Sequence, residues 1–447
     1  MKNLTAVILA AGIGERFWPF ERNKVLFPFF GKTFFDWAVK DMLPREVTKV
    51  VIVADPPHAK FFQLSHLGRP TVVVTQKEPG SMADALMSAE PELRDTALLV
   101  IIADDLVDTD LYTRVIAHAR SQSVFGVIPA WLSESYFPGG YLTLRDKKVT
   151  GITEKPGVGK EPSKWVNVSG HFIAQSDVLF DVLKKMPKSD IRYELALTKL
   201  MSEKEFTFEP YTGKLSSLKY PWQVLDVLSQ LFSRVKNHKG KNVEIGEGTI
   251  VQGNVFIEDN VRIFDHTKII GPAYIGENTI IGTNNLIRES HIGADCVTGF
   301  NTDITRSYVG NSCWFHRNYV GDSVLEEDIS MGSGSVLANL RLDEAKIYSS
   351  VKGTKTDTGK TKLGAMIGPH VRIGVNASIM PGVKIGTNSF VGAGVVLDKD
   401  LPEDCFCTLK PGYTVKRNTR SLAGKSRNDF KKRLSAFAEN HDRRERG

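Results

Sequence analysis

The sequence predicts two kinds of architecture in one chain: an α/β unit built on a parallel sheet, then a parallel β-helix. Two observations predict it. In the first half, short β-branched runs alternate with helix-like segments. In the second, aliphatic residues recur at every sixth position.

The α/β unit reads as follows. TAVILA (5–10), KVVIVA (49–54), TVVVT (71–75) and ALLVII (97–102) are short apolar runs, and helix-like segments such as 34–43 and 82–92 separate them. Strands of this kind alternating with helices form parallel sheets covered on both faces. Residues 124–130, 141–153 and 165–174 read as further strands, and 176–186, 192–203 and 221–236 as helices. KNHKGKN (236–242) is polar and contains glycine, so it reads as a linker.

The period then changes. Ile245, Val251, Ile257, Ile263, Ile269, Ile275, Ile281 and Ile287 are spaced by six, and Ile367, Ile373, Ile379, Ile385, Val391 and Leu397 repeat the spacing. Tyr319, Leu325, Met331 and Leu337 keep it more loosely. Six is neither a helix period nor a plain strand period; it is the hexapeptide repeat of a parallel β-helix, with the aliphatic residue pointing inward and Gly, Asn or Asp at the corners. The polar, basic stretch 341–362 interrupts the repeat and reads as an excursion from the coil. Expected boundaries are 1–236, a linker 237–242, the coil 243–402 and a tail 403–447. In the tail, Phe430, Leu434 and Phe437 suggest a short amphipathic helix or a frayed tail that docks on a neighbour.

Bulk properties exclude several classes. The net charge of +7 resides in residues 414–447, which carry 11 Lys/Arg against 4 Asp/Glu; the rest holds 47 of each. The high pI therefore comes from the tail, and no nucleic-acid face is expected. No apolar run reaches the ~20 residues of a membrane span. The apolar N-terminal run is followed at once by Glu15 and Arg16, which favours a strand and loop over an export signal. Cys296, Cys313, Cys405 and Cys407 form no C-x-x-C pair, and so low a count fits a reducing cytoplasm.

The chemistry-bearing motif lies at the end of the first strand: Leu9-Ala10-Ala11-Gly12-x-Gly14-x-Arg16, then Pro19, then Lys24-x-Leu26-x-Pro28. It lacks the Walker spacing and the third glycine of a dinucleotide fingerprint. It resembles the signature of the sugar-1-phosphate nucleotidylyltransferases over about residues 3–235, with Asn23 where that family usually has Pro. The resemblance implies a Rossmann-like nucleotidyltransferase fold. Ala11, Gly12 and Gly14 would approach the nucleotide through backbone, and Arg16 and Lys24 would neutralise phosphate charge. Gln76 and Ser81 would contact the base, with Ser81 and Met82 replacing the family's Gly and Thr. Asp104, at the end of the 97–102 strand, would hold Mg²⁺, with Asp105 as a solvated neighbour. Gly140, Glu154, Lys155 and Ser169 would bind the sugar phosphate. The family's second metal ligand, an Asp or Asn, aligns here with Ser217.

The coil carries a second set: His316, Tyr319, Gly321, Asp322, Gly332, Gly334 and Asn339. This is similar to the hexapeptide half of the bifunctional bacterial and archaeal enzymes of UDP-N-acetylglucosamine synthesis. The resemblance implies a left-handed coil. It also implies His316 as general base, Tyr319 on the sugar phosphate, Asn339 on the sugar or oxyanion, and Ala393 on the acetyl-CoA path. Ser330 replaces a second Asn, and Ser333 and Val375 replace small residues on that path. Lysines of 341–362 would assist with phosphates.

The activity so implied joins a nucleoside triphosphate (UTP or dTTP) to N-acetylglucosamine-1-phosphate or glucose-1-phosphate with release of pyrophosphate. Acetylation of glucosamine-1-phosphate from acetyl-CoA is the second reaction. A cytoplasmic homotrimer is expected. Two other readings compete: a single-activity glucose-1-phosphate uridylyl- or thymidylyltransferase with a structural coil, and a non-catalytic nucleotide-sugar sensor.

Overall fold

The computed structural model describes residues 3–410 except 147, together with 415–417, 419 and 428. The described residues up to Thr408 form one compact unit. Phe430, Leu434 and Phe437 lie outside the described residues.

The first half is built on a ten-stranded sheet. Its parallel centre is β1 (Leu4–Ala10), β2 (Lys49–Ala54), β3 (Thr71–Thr75) and β4 (Ala97–Ile102), in the order β3-β2-β1-β4. β1 pairs with both β2 and β4 in parallel. These strands are nearly continuous runs of Val, Ile, Leu and Ala because helices cover both faces. Beyond β4 the sheet is mixed. His171–Ile173 runs antiparallel to β4, and Gly140–Arg145 and Lys148–Glu154 form a hairpin where one long strand is read from the sequence. The expected helices are mostly shorter and broken; 82–92, for example, resolves into Met82–Ser88 and Glu90–Leu93. Order along the sheet reverses between β1 and β4, so the carboxyl ends of these two strands flank the crevice where open α/β sheets bind ligands.

The second half is a left-handed parallel β-helix with three sheets of eight, nine and eight short strands. Ile257, Ile263, Ile269, Ile275, Ile281 and Ile287 are all buried, as the six-residue period requires. Ile245 and Val251 are 41% exposed because the first turn has no turn beneath it. Within the segment read as a linker, His238–Lys239 already pairs with Phe256 and Ile257. The looser register has a physical cause. Inward positions Ile304, Val309, Phe315, Val320 and Leu325 step by five or six as corners shorten. Val320 therefore takes the core position that the period assigns to Tyr319, and Tyr319 is left half-buried.

The two halves share an apolar core. One coil face carries a ladder of rings, Phe256, Tyr274, His291 and Tyr308, with centroids 4.5–5.7 Å apart. Phe27, Phe29 and Phe30 pack onto it, and Tyr308 donates to the Pro28 carbonyl at 2.7 Å. The excursion is likewise ordered. Tyr348–Val351 and Thr354–Asp357 form a β-hairpin. Its stem is pinned by Ser349 donating to the Gly382 carbonyl at 3.0 Å and by a Lys360–Asp226 ion pair at 2.6 Å.

Candidate functional site

The glycine loop follows β1. Gly14 takes φ +69°, a left-handed conformation that costs glycine little, and Glu15–Phe17 then turn as a short 3-10 helix. A second such turn, Lys24–Leu26, is capped by Asn23, whose Oδ1 accepts from the Val25 N–H at 3.1 Å. Asn23 thus does by hydrogen bonding what a proline does by restricting φ. Both turns aim their cations at the end of β4. Lys24 pairs with Asp104 Oδ2, and Arg16 lies 5.5 Å from the Tyr220 ring centroid.

Three cavities meet here. One of about 150 Å³ is lined by Ala11, Gly12, Gln76, Ser81 and Asp104. Gln76 is buried at its wall. The Ser81 hydroxyl donates to Asp84 at 2.7 Å in a capping box that starts helix Met82–Ser88, so its side chain is already committed. A second cavity of about 270 Å³ lies along Gly12, Gly14, Arg16, Lys24, Lys219 and Lys352. A third, about 280 Å³, is lined by Gly140, Glu154, Lys155, Asn167, Glu194 and Ser217. Arg16 and Lys219 line both of the last two. Gly140 allows the close approach there, since a Cβ on it would lie 2.6 Å from Asn167 Oδ1 and 2.9 Å from Glu154 Oε2.

Two expectations need correction. Ser169 is fully buried and does not reach the third cavity. Its hydroxyl accepts from the Ile102 N–H at 2.8 Å and lies 3.1 Å from the Tyr112 hydroxyl, and Asn167 and Val168 face the cavity instead. Asp105 is no solvated neighbour. It is 7% exposed and accepts from the Ser217 hydroxyl at 2.5 Å across a two-residue antiparallel ladder.

The carboxylates here have distinct electrostatics. Burial opposes ionisation of Asp104, but Lys24, Lys219 and Arg16 outweigh it and hold its carboxyl below the usual range. Burial, reinforced by the charge on Asp104, pushes Asp105 up. Glu194 is raised to about 7, mainly by burial and further by Glu154. Lys219 loses hydration on burial, yet Asp105 and Asp104 raise it above the ordinary lysine value. Lys219 and Glu194 escape sequence reading, and Lys352, one of the 341–362 lysines expected to assist with phosphates at the coil, lines the cavity of the first half. Glu194 sits within an apolar helical pattern, and Lys219 belongs to no motif.

The coil brings together part of its expected set. Asn339 donates to Asp322 Oδ2 at 2.5 Å, and Arg306 grips the same carboxylate with two bonds of 2.7 Å. A Cβ on Gly321 would lie 2.6 Å from Asn339 Nδ2 and 2.7 Å from the Tyr319 hydroxyl, so Tyr319 and Asn339 converge over that glycine. Tyr319 also lines a groove of about 690 Å³ with Asp303, Arg317, Asn318 and Ser333. Asp303 Oδ1 is buried there without a hydrogen-bond partner among the described residues. His316 is exposed at the adjoining corner, in the turn position that Gly299, Gly332, Gly374 and Gly392 fill in neighbouring turns. Ala393 follows Gly392 three turns along the same edge, roughly 14 Å away at strand spacing.

Residues 5–212 match the nucleotidyl transferase family, and 364–399 match the bacterial transferase hexapeptide (six repeats). A bifunctional sugar-1-phosphate nucleotidylyltransferase/acetyltransferase of Sulfurisphaera tokodaii is 30% identical over 407 residues, covering 89% of this chain and 98% of that protein. The chain belongs to that family. Other members similar to it are the bifunctional protein GlmU of Methanococcus vannielii and that of Methanococcus maripaludis. They are 27% and 29% identical, and each alignment covers 93% of this chain and 100% of the relative. As in the nucleotidylyltransferase/acetyltransferase family, both halves are present in one chain. No helix among the described residues is long and apolar enough to cross a membrane.

Proposed function

We propose that the first half transfers a nucleotidyl group from UTP or dTTP to N-acetylglucosamine-1-phosphate or glucose-1-phosphate. One observation carries the reading: Arg16 and Lys219 line both the cavity beside the glycine loop and the cavity over Glu154. A cation shared by two pockets stands where two phosphate-bearing substrates would meet.

In the proposed reaction the sugar-phosphate oxygen attacks the α-phosphorus in line and pyrophosphate leaves. Backbone at Ala11, Gly12 and Gly14 admits the triphosphate, and Gln76 and Ser81 border the base pocket. Arg16, Lys24 and Lys219 hold the phosphates close and neutralise them. Glu154, with Gly140 beneath it, accepts from sugar hydroxyls, and Lys155 stands near the sugar phosphate. A divalent cation fits Asp104, because its Oδ1 is buried with no hydrogen-bond partner among the described residues. No cluster of three or more His, Cys, Asp or Glu side chains accompanies it among those residues, so the remaining ligands would be phosphate oxygens and water. Bound Mg²⁺ would add to the neutralisation of phosphate charge.

In the second half we propose that His316 takes a proton from the amine of glucosamine-1-phosphate as acetyl-CoA is attacked. Tyr319 and Asn339 hold the sugar phosphate, and Ala393 lies on the cofactor's path. Exposed Phe300 and Trp314, at 60% and 52%, support assembly of the coil into a homotrimer.

The test incubates the protein with each nucleoside triphosphate, Mg²⁺ and a panel of sugar-1-phosphates and follows pyrophosphate. Release with a uridine or thymidine nucleotide is expected; silence with every pair refutes the first half. Acetyl-CoA with glucosamine-1-phosphate tests the second half independently.

A further inference from the structure

We infer that the excursion from the coil completes the triphosphate pocket of the first half, with Lys352 as a further phosphate-binding cation. The inference rests on the proposed nucleotidyl reaction and concerns a residue distant from every motif of that half.

Four observations support it. Lys352 lines the cavity along Gly12, Gly14, Arg16, Lys24 and Lys219, although 336 residues separate it from Arg16. Its ammonium pairs with Glu15, the residue between the loop glycine and Arg16. It stands at the tip of the hairpin, where Lys352 and Gly353 have φ +49° and +77°. A two-residue turn with both φ values positive favours Asn, Asp or Gly, so a lysine there accepts backbone strain in order to present its charge. Finally, the hairpin is not a loose loop: Ile347 and Ser349 are buried beneath it, and its stem is tied to Asp226 and Gly382. The tip is thereby held at the pocket before any ligand arrives.

The Glu15–Lys352 pair is exposed on both sides, with side chains 53% and 59% accessible. Such pairs contribute little to stability, so exchanging Glu15 for a polyphosphate costs little. Lys352 would then serve the terminal phosphates, the part that departs as pyrophosphate. The excursion begins two residues after Asn339, so a single segment links the triphosphate pocket to the Asn339–Asp322 cluster of the coil.

The experiment uses the full chain and titrates inorganic pyrophosphate and UTP by calorimetry, alongside steady-state pyrophosphate release and acetyl transfer. Lys352→Ala is expected to weaken pyrophosphate binding and raise KM for the nucleotide by roughly ten-fold, the loss of one charged hydrogen bond. Changes in kcat and in the acetyl-transfer rate are expected to be under two-fold, and Lys352→Arg is expected to restore most of the affinity. Glu15→Gln breaks the same ion pair but removes a competing carboxylate, so it is expected to tighten pyrophosphate binding. If Glu15→Gln and Lys352→Ala weaken binding alike, the pair is merely a structural tie and the inference fails. It fails equally if Lys352→Ala binds pyrophosphate as tightly as the parent. Absence of release from every substrate pair would defeat the reaction assigned to this half, while the binding comparison would still decide Lys352.

Discussion

The Ser217 hydroxyl donates to Asp105 Oδ1 at 2.5 Å, and the two residues face each other directly across a two-stranded ladder. Where the family resemblance leads one to look for a second Asp or Asn at 217, a carboxylate here stands on the opposite strand, beside Asp104. Replacing Ser217 with Asp alone would bury two facing carboxylates, a destabilising pair. The double exchange Asp105→Ser with Ser217→Asp restores one carboxylate and one hydroxyl. Urea denaturation is expected to show Ser217→Asp less stable than the parent by about 1–3 kcal/mol, with the double exchange recovering most of the loss. Equal stability of single and double variants would contradict this.

Lys24 and Lys219 bracket the carboxylates from opposite elements, the turn after the glycine loop and the segment after Ser217. Each supplies fixed positive charge where negative charge gathers, so Lys24→Ala and Lys219→Met are each expected to lower kcat/KM for pyrophosphate release roughly 100-fold or more. Arg16→Ala belongs with them. Far-ultraviolet circular dichroism and denaturation check that the loss is chemical. Lys219→Met also leaves the buried Asp104–Asp105 pair short of one cation, so a parallel loss of stability is expected, greatest at neutral pH.

Much of the fold is legible because its periods follow from geometry. A side chain that must point inward once per face of a three-sided coil recurs at six, and Ile257 through Ile287 obey. Legibility ends where corners shorten to five residues, which is why Tyr319 reads as core while Val320 fills it. The front site is legible where backbone and charge act locally, as in Gly12, Gly14, Arg16, Lys24 and Asp104. Ser169 misleads because Gly170, at φ +106°, packs against Tyr112 and turns the serine hydroxyl inward. Glu194 is invisible, and Lys352 is legible only as one lysine of a basic loop and not as part of the front cavity, because long-range docking is encoded in no local pattern.

Glu326 joins the coil to the first half. Its carboxylate accepts from the Glu21 and Arg22 N–H groups at 3.0 and 3.1 Å, and burial raises it to about 7 despite those bonds. The folded chain therefore holds this proton over a range where the unfolded chain, near 4.5, has released it. Stability from this group is complete below pH 4.5 and is lost as pH rises towards about 7. Glu194, also raised to about 7, contributes with the same sign. Denaturation midpoints measured from pH 4.5 to 8 are expected to fall less steeply for Glu326→Gln than for the parent. An unchanged slope would show that Glu326 titrates normally.

His316 offers the sharpest separation between the two halves. Its backbone is fixed independently of its ring: its N–H donates to Asn318 Oδ1 at 2.8 Å, and its carbonyl accepts from the Thr302 hydroxyl at 2.9 Å. The neighbouring turns place glycine at this position, so the corner itself needs no imidazole. His316→Ala should accordingly fold as the parent does, retain nucleotidyl transfer, and lose acetyl transfer by roughly 100-fold or more, the usual contribution of a positioned base. Tyr319→Phe and Asn339→Ala should raise KM for glucosamine-1-phosphate, because they remove contacts from the converging pair over Gly321. The decisive comparison is the acetyl-transfer rate of His316→Ala against that of the parent. If His316 is the base, acetyl transfer falls in the variant while nucleotidyl transfer does not. A retained rate in the variant assigns the proton to another group, and Asp303, whose buried Oδ1 lines the same groove as Tyr319, would be the next residue to replace.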